Sequence, residues 1–305
     1  MQHPPSPASS SRQQLPARDA HLIATSLSIL YIAGYYLSHQ PWRRAADRTD
    51  PSATVKLRLI TIVATCVLAA AVLHFAVYLR LVASPSLIEF LALLGIRWDG
   101  LLTALVAPVG LIALLFAGPL FHMYLDRELF FQDEIAWDLF VTRLGTAQGQ
   151  RHYLLGPVCE EFIFRACIIM PYYYARATWT QMVLLTPLYF GAAHLHNIYD
   201  IYSRSGRNLD ALKRAVISSL FQLTYTTLFG WIAAFLYIRT GHIVSVMLVH
   251  SFCNIMGVPN IADIHLTRHP RTVWGIYVIG VVLFFMLAFP LTTPSLYANT
   301  IFVAE

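Results

Sequence analysis

Charged side chains are scarce in this sequence: Asp, Glu, Lys and Arg together make up 12% of its 305 residues. An average soluble domain holds roughly 25% charged residues, whereas 57% of this chain is hydrophobic. This composition excludes an ordinary soluble protein and predicts an integral membrane protein. The basic residues, which leave a net charge of +5, are scattered along the chain and form no stripe. Nucleic acid is therefore not an expected partner.

Cysteine is also rare and badly placed for metal binding or cross-linking. Cys66, Cys159, Cys167 and Cys253 all lie in apolar segments without CxxC spacing, and no HExxH sequence occurs. These absences argue against a disulfide framework and a Cys-based zinc site. We expect no cofactor and no bound metal.

Long apolar runs dominate what is present. Runs that approach the roughly 30 Å thickness of a bilayer core predict eight transmembrane helices, at about 21–38, 57–82, 100–122, 153–176, 180–196, 212–238, 242–258 and 273–293. Two shorter, more charged segments, 84–100 and 126–144, are predicted to be interfacial helices. The Pro/Ser-rich segment 1–20 is predicted to be a disordered tail, and 21–305 a single all-α membrane domain.

The distribution of Lys and Arg predicts the orientation of these helices, because cytosolic loops carry the excess of basic residues. If the N-terminus faces the lumen or the outside, the loops that face the cytosol hold most of the 21 Lys and Arg residues, Arg151 among them. The carboxyl end of the fifth helix and the start of the fourth then lie on the cytosolic side.

The fourth predicted helix carries three ionisable residues in the stretch "GPVCEEFIFRACIIM". Charged side chains inside a membrane are costly and mark functional sites by default. Glu161 and Arg165 are four residues apart, so they share a helix face and can form an ion pair. Glu160 is rotated by about 100° from Glu161 and cannot share that pair equally well. We interpret Glu161 as the structural partner and Glu160 as the residue free for chemistry.

Two further helices carry polar residues at a similar depth. Phe190 and His194 are four residues apart in the fifth helix, and His250 and Asn254 are four apart in the seventh, so each pair shares a face. With the predicted orientation, all of these groups lie in the cytosolic half of the bilayer. A lone intramembrane His is often only a helix-packing group, but this set at one depth favours a common site.

These residues resemble the motifs of a known family. "EEFIFR" fits EExxxR, "FGAAH" fits FxxxH and "HSFCN" fits HxxxN, in the order found in the CPBP superfamily of intramembrane glutamate proteases. More narrowly, "GPVCEEFIFRACIIMP", "YFGAAHLHNI" and "FLYIRTGHIVSVMLVHSFCNIMGVP" resemble the eukaryotic type II CAAX prenyl endopeptidases. The resemblance is strong over the predicted catalytic core, about 150–260, and weak before about residue 120.

The resemblance implies eight transmembrane helices around a cytosol-facing catalytic cavity in the endoplasmic reticulum membrane. It also implies substrates: farnesylated or geranylgeranylated CaaX proteins, such as Ras-type small GTPases, held at membrane lipid and trimmed of their last three residues. We expect Glu160 to be the general base on a water that His194 orients. His250 and Asn254 would stabilise the oxyanion. Glu161, with Arg165, would hold the helix in register or assist the leaving group, and Phe190 would support the site.

Three alternatives remain open at this point. A Glu and two His residues form an accepted catalytic zinc set, so a metal-dependent membrane protease is one. A thiol protease that uses Cys253 or Cys159 is another, although thiolates are disfavoured in apolar surroundings. The third is a non-enzymatic membrane scaffold, or a transporter whose Glu and His residues relay protons.

Overall fold

The computed structural model describes residues 14–37, 51–80 and 86–302, and within these ranges it is helical, without strands. Its main helices are α1 (Ala17–Leu37), α2 (Pro51–Arg80), α3 (Leu87–Leu93), α4 (Leu101–Leu115), α5 (Ala117–Leu125), α6 (Glu134–Gly145), α7 (Trp179–Ala193), α8 (Asn197–Arg204), α9 (Leu209–Thr240), α10 (Ile243–Met256) and α11 (Pro270–Leu291). A further helical run over 147–174, which we call the motif helix, holds the EExxxR sequence.

The predicted N-terminal tail lies partly in a helix and partly outside the described residues. Helix α1 begins at Ala17, inside the segment 1–20 that was predicted to be disordered, and Ala20 is fully buried. Residues 1–13 lie outside the described residues. The predicted interfacial segments contain α3 and α6, although 84–85 also lies outside the described residues. Both helices begin at a capping side chain, Ser86 for α3 and Asp133 for α6, as expected for short helices that need their free N–H groups satisfied.

Four helices, α1, α9, α11 and the part of α2 from 60 to 77, are long and apolar enough to cross a bilayer. Helices α4 and α5 add a fifth span if the 71° bend between them lies within one crossing. The other predicted spans are present as helices but do not meet this length test. Helices α7 and α10 hold 15 and 14 residues, and π-helical turns divide the motif helix. The described residues thus give four to five candidate spans, compared with eight predicted.

The bend between α4 and α5 falls where one straight helix, 100–122, was predicted. Helix α4 ends at Leu115 and α5 begins at Ala117, with Phe116 between them outside helical geometry. Pro119, three residues further on, has no N–H for the carbonyl of Leu115, and its ring clashes with that carbonyl in a straight helix. The proline therefore accounts for the break, and the break leaves Phe116 at the wall of the main cavity.

The motif helix lies at the centre of the molecule. It contacts α1, α2, α7 and α10, while α7 packs along α9, and α10 packs against α4. A tight turn joins α9 to α10 at Gly241, whose φ of 66° is in the left-handed region that favours glycine. This turn fixes α10 against the motif helix. The polar sequence motifs on the motif helix, α7 and α10 are therefore brought face to face.

Candidate active site

Glu161 and Arg165 form a buried ion pair on the motif helix. Nη1 of Arg165 donates to Oε1 of Glu161 over 2.9 Å, and their side chains are 1% and 0% exposed, respectively. The four-residue spacing predicts this pair, and the structure forms it. Removing one partner of such a pair leaves an uncompensated buried charge, so the two residues act as one structural unit.

His250 links the two glutamates. Its Nδ1 lies 2.6 Å from Oε1 of Glu161, and its Nε2 lies 3.7 Å from Oε2 of Glu160. A glutamate that is paired with arginine accepts hydrogen bonds, so Nδ1 of His250 is the donor in the first contact. The second contact is longer than a hydrogen bond. Oε2 of Glu160 is therefore close to the imidazole but not hydrogen-bonded to it.

Glu160 has a partner that sequence reasoning missed. The hydroxyl of Tyr31, on α1, donates to Oε1 of Glu160 over 2.9 Å. The Glu160 side chain is 21% exposed, in contrast to its buried neighbour. Tyr31 lies in the first apolar helix, far from the motifs in sequence, and no spacing rule singles it out. One oxygen of Glu160 is therefore held by Tyr31, and the other is available.

His194 is held in one orientation by the backbone. Helix α7 ends at Ala193, and His194 begins a 3₁₀ turn. Its Nδ1 lies 2.8 Å from the carbonyl oxygen of Phe190. A carbonyl can only accept, so Nδ1 carries the proton, and in the neutral ring Nε2 is left as an acceptor. This is the form needed to accept a proton or to orient a water molecule.

Two aromatic rings cover the buried arginine. The guanidinium of Arg165 lies 4.5 Å from the ring centre of Phe190 and 5.5 Å from that of Phe229. Phe229 also packs against the ring of His250 at 4.7 Å. Such contacts stabilise a desolvated cation. Phe190 is the first residue of FxxxH and was predicted to support the site, whereas Phe229 carries no motif signal.

Asn254 is anchored to the motif helix. Its Nδ2 donates to the carbonyl oxygen of His152 over 2.8 Å. In the π-helical turn Arg151–Leu155, each carbonyl accepts from the N–H five residues later. For the carbonyl of His152 that residue is Pro157, which has no N–H. Asn254 therefore satisfies a carbonyl that Pro157 leaves free, and it joins α10 to the start of the motif helix.

Two cavities meet at this site. The larger, of about 790 Å³, is lined by Glu160, His194, His250 and Asn254, with apolar residues from α4 and α9 opposite. The smaller, of about 160 Å³, lies towards α1 and α2. Glu160 and His194 line both cavities, so they stand at the boundary between them. Of the five residues predicted to be catalytic, only Glu161 lies behind this surface, where it contacts His250.

The geometry also bears on the metal-dependent and thiol-protease alternatives. Among the residues that the structure describes, no three His, Cys, Asp or Glu side chains are arranged to hold a metal ion. Cys253 lines the larger cavity and Cys159 the smaller one. The ring nitrogens of His250 face the two glutamates and are not hydrogen-bonded to Cys253.

Comparison with known proteins agrees with the motifs. The family model described as "Type II CAAX prenyl endopeptidase Rce1-like" matches residues 143–256. CAAX prenyl protease 2 of Homo sapiens is 31% identical over 283 residues, which cover 90% of this chain and 81% of that protein. CAAX prenyl protease 2 of Caenorhabditis elegans is 30% identical over 276 residues, covering 88% of this chain and 96% of that protein. No solved structure matches the chain with significant similarity.

The fold and the site define the class of this protein: it is a helical membrane protein with paired glutamates and histidines at the wall of an internal cavity. The similarity over most of its length identifies the family. The chain belongs to the type II CAAX prenyl endopeptidases.

Proposed function

We propose that this protein removes the C-terminal aaX tripeptide from prenylated CaaX proteins by attack of a water molecule that Glu160 activates. One observation carries the mechanism: Glu160 is the single acidic residue of the motifs that reaches both cavities, while Glu161 is buried behind them and contacts Arg165 and His250 through Oε1. The substrate class follows from the family and its CAAX prenyl protease relatives.

Glu160 has the geometry of a general base. The hydroxyl of Tyr31 holds Oε1, so Oε2 is the oxygen that takes a proton from water. The hydroxide equivalent attacks the carbonyl carbon of the scissile bond; Glu160 then gives the proton it took from water to the leaving nitrogen, and the carbon–nitrogen bond breaks. His194, with Nε2 unprotonated, accepts a hydrogen bond from the same water and fixes its direction.

His250 and Asn254 stabilise the oxyanion in this proposal, but the existing hydrogen bond of His250 restricts how its ring can donate. Nδ1 of His250 already donates to Glu161. To donate to the oxyanion as well, the ring must carry a second proton on Nε2. Asn254 has one amide hydrogen on the His152 carbonyl and a second one for the oxyanion.

The prenyl group is accommodated by the apolar wall of the larger cavity. Ile112, Leu115 and Phe116 at the bend of α4, with Phe229 and Ile232 of α9, face the polar side. Relative to water, burial of a prenyl chain there is favoured by about 0.8 kcal/mol per methylene. The prenylated cysteine then lies on the large-cavity side of Glu160, and the tripeptide extends from it across the boundary.

The placement in the cell follows from the same proposal. Eight crossings, a site open to the cytosol and residence in the endoplasmic reticulum would bring the enzyme to newly prenylated proteins, Ras-type GTPases among them, at the lipid surface. The excess of basic residues in the loops supports this orientation. The four to five candidate spans support a multi-pass protein.

The proposal is tested with purified full-length protein, a prenylated CaaX peptide and a buffer that contains a metal chelator. The product is identified by mass, and wild type is compared with Glu160→Ala and His194→Ala. We expect release of the intact tripeptide by wild type alone. Cleavage that the chelator abolishes would replace the glutamate mechanism with a metal-dependent one. No cleavage by folded wild type would contradict the proposed function itself.

A further inference from the structure

Arg151 is a cation at the active site to which the motifs assign no role. It lines both cavities together with Glu160 and His194. Of the residues that line the two cavities in the described part of the chain, it is the single Lys or Arg. It is half-buried, and none of the ion pairs formed among the described residues involves it. Its guanidinium instead lies 5.4 Å from the ring centre of Tyr35, on α1.

The local fold of the motif helix turns Arg151 towards the site. In an uninterrupted α-helix, a residue nine positions before Glu160 would lie about 180° away around the axis. Here Arg151–Leu155 is a π-helix, closed by a bond from the N–H of Gly156 to the carbonyl of Arg151. The wider turn changes the rotation, and both side chains face the same two cavities. Single π-helical turns of this kind are frequent at functional sites.

Glycine at position 156 is required for that turn. A Cβ atom added there would lie 2.7 Å from the carbonyl oxygen of Arg151, closer than such atoms approach in folded proteins. The Gly-Pro sequence before the glutamates thus has a physical reason. Gly156 permits the π-helical turn, and Pro157 leaves the next carbonyl for Asn254.

The separation of Arg151 from Glu160 suits the length of the leaving group. Three extended residues span about 10 Å. Nine helical residues rise about 13 Å along the axis, and Arg151 and Glu160 line the same cavities. A tripeptide whose first nitrogen lies at Glu160 therefore ends near the guanidinium. What it presents there is the free α-carboxylate of the substrate.

We propose that Arg151 binds the C-terminal carboxylate of the substrate and so determines that cleavage occurs three residues from the chain end. This inference rests on the proposed function and extends it. A guanidinium binds a carboxylate through two parallel hydrogen bonds. The stacking on Tyr35 limits the motion of the side chain before substrate arrives, which reduces the entropic cost of binding. The prenyl group and the carboxylate then fix the substrate at both ends of the scissile bond.

The test compares two prenylated peptides of the same sequence, one with a free C-terminal carboxylate and one with a C-terminal amide. The kcat/KM of each is measured for wild type, Arg151→Ala and Arg151→Lys. Arg143→Ala serves as the control, because Arg143 is an exposed cation on α6 that lines neither cavity. The ratio of the two peptides on one variant is independent of how much of that variant is folded.

We expect wild type and Arg143→Ala to prefer the acid by about 30-fold or more, the lower end of the effect of removing one partner of a buried, hydrogen-bonded charge pair. Arg151→Ala should cleave both peptides at similar, low rates. Arg151→Lys should retain part of the preference, because lysine keeps the charge but not the two-pronged geometry. An unchanged preference in Arg151→Ala, or no preference in wild type, would overturn the inference while leaving the proposed function intact. Cleavage of neither peptide by wild type would overturn both.

Discussion

Replacing Glu161 with glutamine removes the negative charge that contacts both Arg165 and His250. The substitution keeps the shape of the side chain but leaves the Arg165 guanidinium charged, 1% exposed and without the carboxylate with which it is directly paired. Loss of one partner of a buried pair costs about 3–5 kcal/mol. At about 2 °C per kcal/mol for a large domain, the melting temperature of Glu161→Gln should fall by about 6–10 °C.

The same reasoning predicts partial rescue. Adding Arg165→Met to Glu161→Gln removes the unpaired charge, so the double variant should melt at a higher temperature than Glu161→Gln alone. Its activity should stay low, because His250 still lacks the carboxylate that holds Nδ1. Stability and activity are therefore expected to separate in the double variant.

Thermal unfolding in detergent and tripeptide release are measured on the same preparations. Glu134→Gln is the matched control, since Glu134 is exposed in the first turn of α6. A wild-type melting temperature for Glu161→Gln would refute the claim that Glu161 compensates Arg165. A double variant less stable than the single one would refute it equally.

Three further substitutions test individual contacts. Tyr31→Phe removes the hydrogen bond to Oε1 of Glu160 and should lower kcat by about 10- to 100-fold, the scale of a hydrogen bond to a charged group; an unchanged single-turnover rate would show that Tyr31 does not position the base. Gly156→Ala forces its Cβ against the Arg151 carbonyl and should cost about 1–3 kcal/mol of stability together with activity, measured by unfolding and cleavage; wild-type values for both would show that the turn tolerates a side chain. Cys253→Ser should retain the rate within about 3-fold, because glutamate-activated water needs no thiol, whereas complete loss of cleavage in a folded variant would support a thiol mechanism.

Contacts within one helix were open to prediction because they depend only on the helical repeat. The four-residue spacing of Glu161 and Arg165 predicts a shared face, and the structure forms the pair at 2.9 Å. The spacing of Phe190 and His194 likewise corresponds to a contact, although the ring bonds to the backbone oxygen of Phe190. Helix positions followed from the apolar runs, which lie within a few residues of the observed helices.

Contacts between helices were not open to prediction from the same rules. The bond of His250 to Glu161 and that of Tyr31 to Glu160 join residues 89 and 129 positions apart, and their formation depends on how the helices pack. The π-helical turn over Arg151–Leu155 also escapes pattern reasoning, because it depends on a single glycine, Gly156, that lets the backbone approach the carbonyl of Arg151. In a regular α-helix, Arg151 would lie on the face opposite Glu160. The sequence alone therefore identifies Arg151 only as one of the basic residues in the cytosolic loops.

The number of membrane crossings shows a related limit. Apolar composition identifies each helix, but Pro119 divides one predicted span into α4 and α5, at 71° to each other. Composition does not distinguish a continuous crossing from a broken helix of the same length. The count of eight therefore stays a prediction, with four to five candidate spans among the described residues.

The most direct test of the central claim is tripeptide release by Glu160→Gln in chelator-containing buffer. Glutamine keeps an oxygen for the Tyr31 hydroxyl but cannot take a proton from water, so folding and substrate binding should be preserved. The account predicts a fall in kcat of about 100-fold or more, with binding of the prenylated peptide unchanged. A kcat within about 3-fold of wild type would contradict it and show that Glu160 is not the base.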